Sequence, residues 1–142
     1  MSTFVVDASV VIKWFVPEVH GDAARRLLEY SHQYVAPDLL FAETANAVWK
    51  KVRRGELSSR HGQRLVTDLG RVAVETVSCR ALAADAHALA TRIGRTVYDA
   101  MYLTLAVQLE TRMITADERL ARALAEIPLI ATHVQTVQAF SG

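Results

Sequence analysis

Phe4-Val5-Val6-Asp7-Ala8-Ser9 decides how the rest of the chain is read. Three β-favouring apolar residues stop at an aspartate, and a helix-period segment at about residues 9–15 follows at once. A strand that is apolar at consecutive positions is covered on both faces, as in a parallel sheet. The pattern recurs. Tyr34-Val35-Ala36 ends at Pro37-Asp38, and Arg112-Met113-Ile114-Thr115 ends at Ala116-Asp117. Two more strands are expected over Ala73 to Ser78 and Pro128 to Thr132. Helical periodicity fills the intervals, at about 21–30, 38–54, 58–70, 80–93, 97–111 and 117–125. Short strands alternating with helices predict an α/β fold, with a mostly parallel central sheet of about five strands covered on both faces. Ligands of such folds bind beyond the carboxyl ends of the strands.

The 142 residues suit one domain, 1–142, and 51% apolar against 22% charged residues exclude a disordered chain. No apolar run approaches the roughly 18 residues that a membrane helix needs. The N-terminus lacks a basic leader, and Asp7 and Lys13 interrupt its apolar stretch, so no signal peptide is expected. Cys79 is the only cysteine and has no internal disulfide partner, which suits a reducing cytoplasm. Sixteen Lys and Arg against fifteen Asp and Glu leave a net charge of +1, so any nucleic-acid contact must rest on local patches.

The acids gather where a ligand would bind. Asp7 ends the first strand, Glu43 lies about a turn into the helix after the second, and Asp117 follows the fourth. Asp99 opens a helix that is apolar around nearly its whole circumference, and such a helix is buried. A buried carboxylate needs a partner, yet no Lys or Arg lies between Tyr98 and Thr111. A bound cation would serve, and oxygen-only ligand sets suit Mg²⁺ or Mn²⁺. Simpler readings compete. Thr96-Val97-Tyr98-Asp99 and Thr115-Ala116-Asp117-Glu118 both resemble capping boxes, and turn chemistry alone could place Asp7. Glu43 falls beside an expected core stripe of Phe41, Ala45, Val48 and Val52, which would leave it solvated.

Other chemistries find less support. His20, His32, His61, His87 and His133 show no zinc-ligand spacing. Ser9 lacks a nucleophile elbow, and no glycine-rich phosphate loop exists. Cys79 has no activating base nearby in sequence, and Trp14 and Trp49 sit in apolar helical runs as expected packing residues.

Taken in series, Phe4-Val5-Val6-Asp7-Ala8-Ser9, Ala42-Glu43-Thr44-Ala45-Asn46-Ala47, Tyr98-Asp99-Ala100 and Ile114-Thr115-Ala116-Asp117 resemble the PIN-domain ribonucleases, most closely the VapC-type toxins of toxin–antitoxin pairs. The resemblance spans nearly the whole chain in order and spacing. It implies a three-layer α/β/α sandwich and RNA cleavage dependent on one or two Mg²⁺ or Mn²⁺ ions. It also implies a homodimer and inhibition by a VapB-type antitoxin. Asp7, Glu43, Asp99 and Asp117 match the acidic quartet, and Ser9 and Thr115 the hydroxyl residues that support it. An inactive module of the same fold and a phospho-acceptor receiver are the rival readings. The receiver needs an acceptor Asp after the third strand, where Ser78-Cys79 stands instead.

With so little net charge, RNA guidance falls to a helix end. Lys50 and Arg54 share a helical face with Glu43, about 10 Å and 16 Å along the axis from it, and Lys51 and Arg53 would broaden the track. The same residues could serve only to complement the helix dipole, with Gly55 closing the helix.

Overall fold

A computed structural model describes residues 1–142. Five strands form one sheet: β1 (Thr3–Val6), β2 (Gln33–Pro37), β3 (Glu75–Val77), β4 (Met113–Thr115) and β5 (Val134–Thr136). Their order is β3-β2-β1-β4-β5, and every pairing is parallel. Val5 stands at the centre, in register with Val35 on one side and Met113 on the other. This order differs from the 2-1-3-4-5 of receiver domains.

Seven α-helices connect the strands: α1 (Ala8–Val11), α2 (Gly21–Arg26), α3 (Leu39–Arg53), α4 (Ser59–Leu69), α5 (Cys79–Ile93), α6 (Val97–Gln108) and α7 (Glu118–Ala125). Single 3₁₀ turns at 12–14 and 27–29 extend α1 and α2. From β1 the chain crosses one way to β2 and β3, then reverses to β4 and β5. Right-handed crossovers therefore set the two groups of helices on opposite faces of the sheet. The reversal makes the gap between the carboxyl ends of β1 and β4 the topological switch point.

Burial explains which strands are plain in the sequence. Phe4, Val5 and Val6 on β1 and Met113, Ile114 and Thr115 on β4 are all buried, so both strands read as unbroken apolar runs. They anchor a core joined by Leu27, Leu40, Leu103, Leu105, Leu124 and Ile130. A smaller cluster of Ala86, Ala90, Ala100 and Met101 lets α5 and α6 pack closely, which fixes the start of α6. Gly62 permits a similar approach of α4 to α3, since a Cβ there would lie 2.6 Å from Val52 Cγ2.

Three expectations are corrected. The fifth strand is not at 128–132. Pro128 opens a turn, Ile130 and Ala131 both donate to the Ile127 carbonyl, and β5 begins only at Val134. The buried stripe of α3 is Leu40, Thr44 and Val48 rather than 41, 45, 48 and 52, which rotates Glu43 towards the sheet edge. Trp14 packs inward and donates to the Ala24 carbonyl at 2.8 Å, but Trp49 is 55% exposed, with the Arg53 guanidinium over its ring.

Candidate active site

Asp7, Glu43, Asp99 and Asp117 line one cavity of about 180 Å³ at the switch point, together with Ala8, Ser9, Tyr102, Met113, Leu120 and Leu124. Four elements bring them there: the end of β1, the first turns of α3, the first turn of α6, and the residue before α7.

Each acid is held through one oxygen. Asp7 caps α1. Its Oδ1 accepts from the Ser9 backbone N–H at 2.8 Å and also from the Ser9 hydroxyl. The same hydroxyl lies 3.3 Å from Thr115 Oγ1 and accepts from the Ala116 N–H at 3.0 Å, which ties the end of β1 to the end of β4. Thr115 Oγ1 in turn accepts from the Asp117 N–H, and Asp117 Oδ1 accepts from the Leu120 N–H. Asp117 is therefore the cap of α7 itself, and Thr115 belongs to the strand; the expected capping box beginning at Thr115 does not form. At Asp99 the expected cap does form, with Thr96 Oγ1 accepting from the Asp99 N–H at 3.1 Å.

Two contacts were not foreseen. Tyr102 donates its hydroxyl to Glu43 Oε1 at 2.6 Å, so Glu43 is half-buried and fixed rather than solvated. Tyr102 lies three residues after Asp99 on the same face of α6, a helical spacing that could have marked it. Arg95 donates to Asp99 Oδ2 at 3.3 Å. The absence of a basic residue between 98 and 111 misled, because the partner stands four residues upstream.

Electrostatics set this cavity apart. Burial pushes the Asp7 carboxyl above its ordinary range, against the hydrogen bonds from Ser9 and Thr115, and the Asp117 charge adds to the rise. Burial also raises Glu43, the Tyr102 hydroxyl opposes the rise, and Asp7 and Asp99 reinforce it. Burial and the Glu43 carboxylate push the Tyr102 phenol far up, so it stays a donor. Arg95 is the one cation that contacts any of the four acids.

Oxygen donors alone, partly desolvated and short of positive charge, fit a hard divalent cation. No three of the carboxylates converge closely enough to share one ion as the side chains stand. That spacing still suits Mg²⁺, which keeps several waters and binds through one or two carboxylates plus substrate phosphate.

The predicted basic track divides. Lys50 and Arg54 are exposed at the end of α3. Lys51 is mostly buried and paired with Glu18 at 2.6 Å, which removes it from an open track. Arg53 lies against Trp49. Cys79 donates its N–H to Asp38, and burial with the Asp38 carboxylate raises its thiol, the opposite of the shift that activates a cysteine.

A parallel sheet with four carboxylates gathered over its switch point, and with no phosphate loop, places the chain among α/β domains with an acidic cavity at the sheet edge. The PIN domain family model matches residues 4–125, and the chain belongs to that family. Ribonuclease VapC3 of Pyrobaculum aerophilum is 35% identical over 119 residues, 82% of this chain and 91% of that protein. The crystal structure of PAE2754 from the same organism superposes with a TM-score of 0.68 at 21% identity, covering 97% of this chain and 93% of that one. A toxin–antitoxin complex from Klebsiella pneumoniae gives 0.66 at 19% identity, covering 94% and 97%. Likeness at those identities speaks to the fold. Family and relative together make the chain an enzyme of the nuclease class.

Proposed function

We propose that the chain is a Mg²⁺- or Mn²⁺-dependent endoribonuclease and the toxin of a VapBC-type pair. The observation that carries this reading is the group of four acids around one cavity with a single rim cation to balance them. The 35% identical ribonuclease supports RNA as the substrate. Asp7, Glu43, Asp99 and Asp117 would hold one or two cations. When bound, such a cation supplies positive charge to the oxygens of the scissile phosphodiester and lowers the pKa of an attacking water.

The remaining work belongs to the chain. Ser9 and Thr115 lock the ends of β1 and β4 together and so set the distance between Asp7 and Asp117. Tyr102 holds one Glu43 oxygen and leaves the other for the cavity. The acids sit on strand ends and helix starts, which keeps them preorganised.

Two partners complete the proposal. The structural likeness to a chain of a toxin–antitoxin complex supports a VapB-type antitoxin. Exposed Trp49 and Val66 beside the α3–α4 groove, with exposed Val107, Leu109 and Leu129, support apolar seams for that antitoxin and for a homodimer. No helix is long and apolar enough to cross a membrane, and the proposed place of action is the cytoplasm.

The test is cleavage of a generic single-stranded RNA after chelation and after Mn²⁺ is restored, for wild type and Asp99→Asn. Cleavage by wild type in Mn²⁺ alone, with Asp99→Asn inactive, is expected. Equal cleavage in chelator would overturn the reading.

A further inference from the structure

Arg95 stands in the three-residue link between α5 and α6. Gly94, with φ +71°, turns the chain out of α5 in the left-handed conformation that glycine allows, and Thr96 caps α6. Arg95 is thus outside both helices, and its side chain reaches forward four residues to Asp99 at the rim of the cavity.

The contact is poorly made. Only Nη2 reaches the carboxylate, at 3.3 Å, where charge-assisted pairs ordinarily close to about 2.7–2.9 Å. The bidentate fork that arginine offers is unused. Nε is buried and has no hydrogen-bond partner. A guanidinium that spends one long contact on Asp99 and leaves a buried donor unsatisfied is weakly held where it stands. A divalent cation competes for the same carboxylate with twice the charge. The donors that Arg95 would then free stand beside Asp99, within reach of a phosphate drawn to the same cation.

We propose that Arg95 is a movable counter-cation, which pairs with Asp99 in the metal-free enzyme and passes to an RNA phosphate once a divalent ion takes that carboxylate. The proposal rests on the metal-dependent reading above and assigns Arg95 two successive partners. It competes with the metal for Asp99 and, once displaced, contacts the substrate.

Calorimetric Mn²⁺ titration of wild type, Arg95→Gln and Arg95→Lys tests the first partner. Arg95→Gln should bind Mn²⁺ about twofold to fivefold more tightly, the range set by removing one half-exposed ion pair. Arg95→Lys should bind Mn²⁺ near the wild-type affinity, since the charge remains. The salt dependence of kcat/KM for RNA cleavage in saturating Mn²⁺ tests the second partner. Loss of one phosphate contact should make the slope against log salt shallower by about 0.7 in Arg95→Gln.

Arg95→Gln with unchanged or weaker Mn²⁺ affinity would overturn the proposal, as would an unchanged salt slope. If Arg95→Gln folds poorly, Arg95→Met takes its place, and the same tighter Mn²⁺ binding and shallower salt slope are required of it. Failure of wild type to bind Mn²⁺ at all would bring down the metal reading and this one with it. Binding by wild type with no change in Arg95→Gln would remove only the role of Arg95.

Discussion

Glu18 and Asp7 are both carboxylates drawn partly or wholly out of water, one on the loop before α2 and the other at the end of β1. Their surroundings differ in kind. Glu18 meets Lys13 at 3.1 Å and Lys51 at 2.6 Å. Burial alone would raise its pKa, but the two lysines hold it below the ordinary range. Asp7 has hydroxyl and amide donors only, its nearest charges are other acids, and it is pushed up. The Glu18 cluster is balanced from within and joins the loop before α2 to the end of α3. The cavity at the switch point carries four acids against one loosely held arginine. Charge left unbalanced in that way works against folding, and it is the feature on which the proposed metal site rests.

Neutralising substitutions break this symmetry in opposite directions. Asp7→Asn keeps the cap on α1, because asparagine caps as well as aspartate, yet it should lower RNA cleavage by about a hundredfold or more. Asp7→Asn combined with Asp117→Asn should lose little beyond the worse single variant, since groups acting as one unit fail together. Losses that multiply in kinetic assays would separate the two acids into independent sites.

Glu18→Gln should leave cleavage in saturating Mn²⁺ close to wild type and cost about 1 kcal/mol of stability, because mostly buried Lys13 loses its partner and Lys51 keeps only Glu56, at 3.7 Å. Denaturant unfolding at neutral pH measures it. The Glu18 contribution is present above the unfolded carboxylate pKa and fades as pH falls through the depressed folded value. The gap between Glu18→Gln and wild type should therefore close in acid.

The smallest effect is expected at the end of α3. Lys50→Glu with Arg54→Glu should weaken RNA binding and flatten its salt dependence, while the Mn²⁺ response of the fold survives. An unchanged salt slope with lowered stability would reduce these residues to dipole complementation.

The same contrast governs what could be read from the sequence. β1 and β4 were legible because burial on both faces forces unbroken apolar runs, and two of the four acids, Asp7 and Asp117, follow from strand ends. β5 was not, because Pro128, Leu129 and Ile130 are as apolar as a strand while forming a turn that plugs the core with Ile130. Tyr102 was hidden by its helix: among so many apolar neighbours a tyrosine reads as packing, and only the approach of α3 gives its hydroxyl a partner. Lys51 looked like its neighbours Lys50 and Arg53 until the loop carrying Glu18 folded over it. Local periodicity says which way a side chain points, but the partner across the fold decides what that side chain does.

The central claim is that the cavity acids are unbalanced until a divalent cation joins them, and melting temperature against pH with and without Mn²⁺ tests it most directly. Asp7 and Glu43 have raised folded pKa values, so the folded state binds more protons than the unfolded chain in the window above 3.8 and 4.5. In chelator their contribution to stability should therefore fall as pH rises through that window, and Asp7→Asn should melt a few degrees above wild type at neutral pH. Mn²⁺ at a hundredfold excess over its Kd should add about 2.7 kcal/mol to wild type, on the order of 10 °C, and far less to Asp7→Asn. A wild-type melting temperature indifferent to Mn²⁺, with Asp7→Asn less stable than wild type in chelator, would contradict the account.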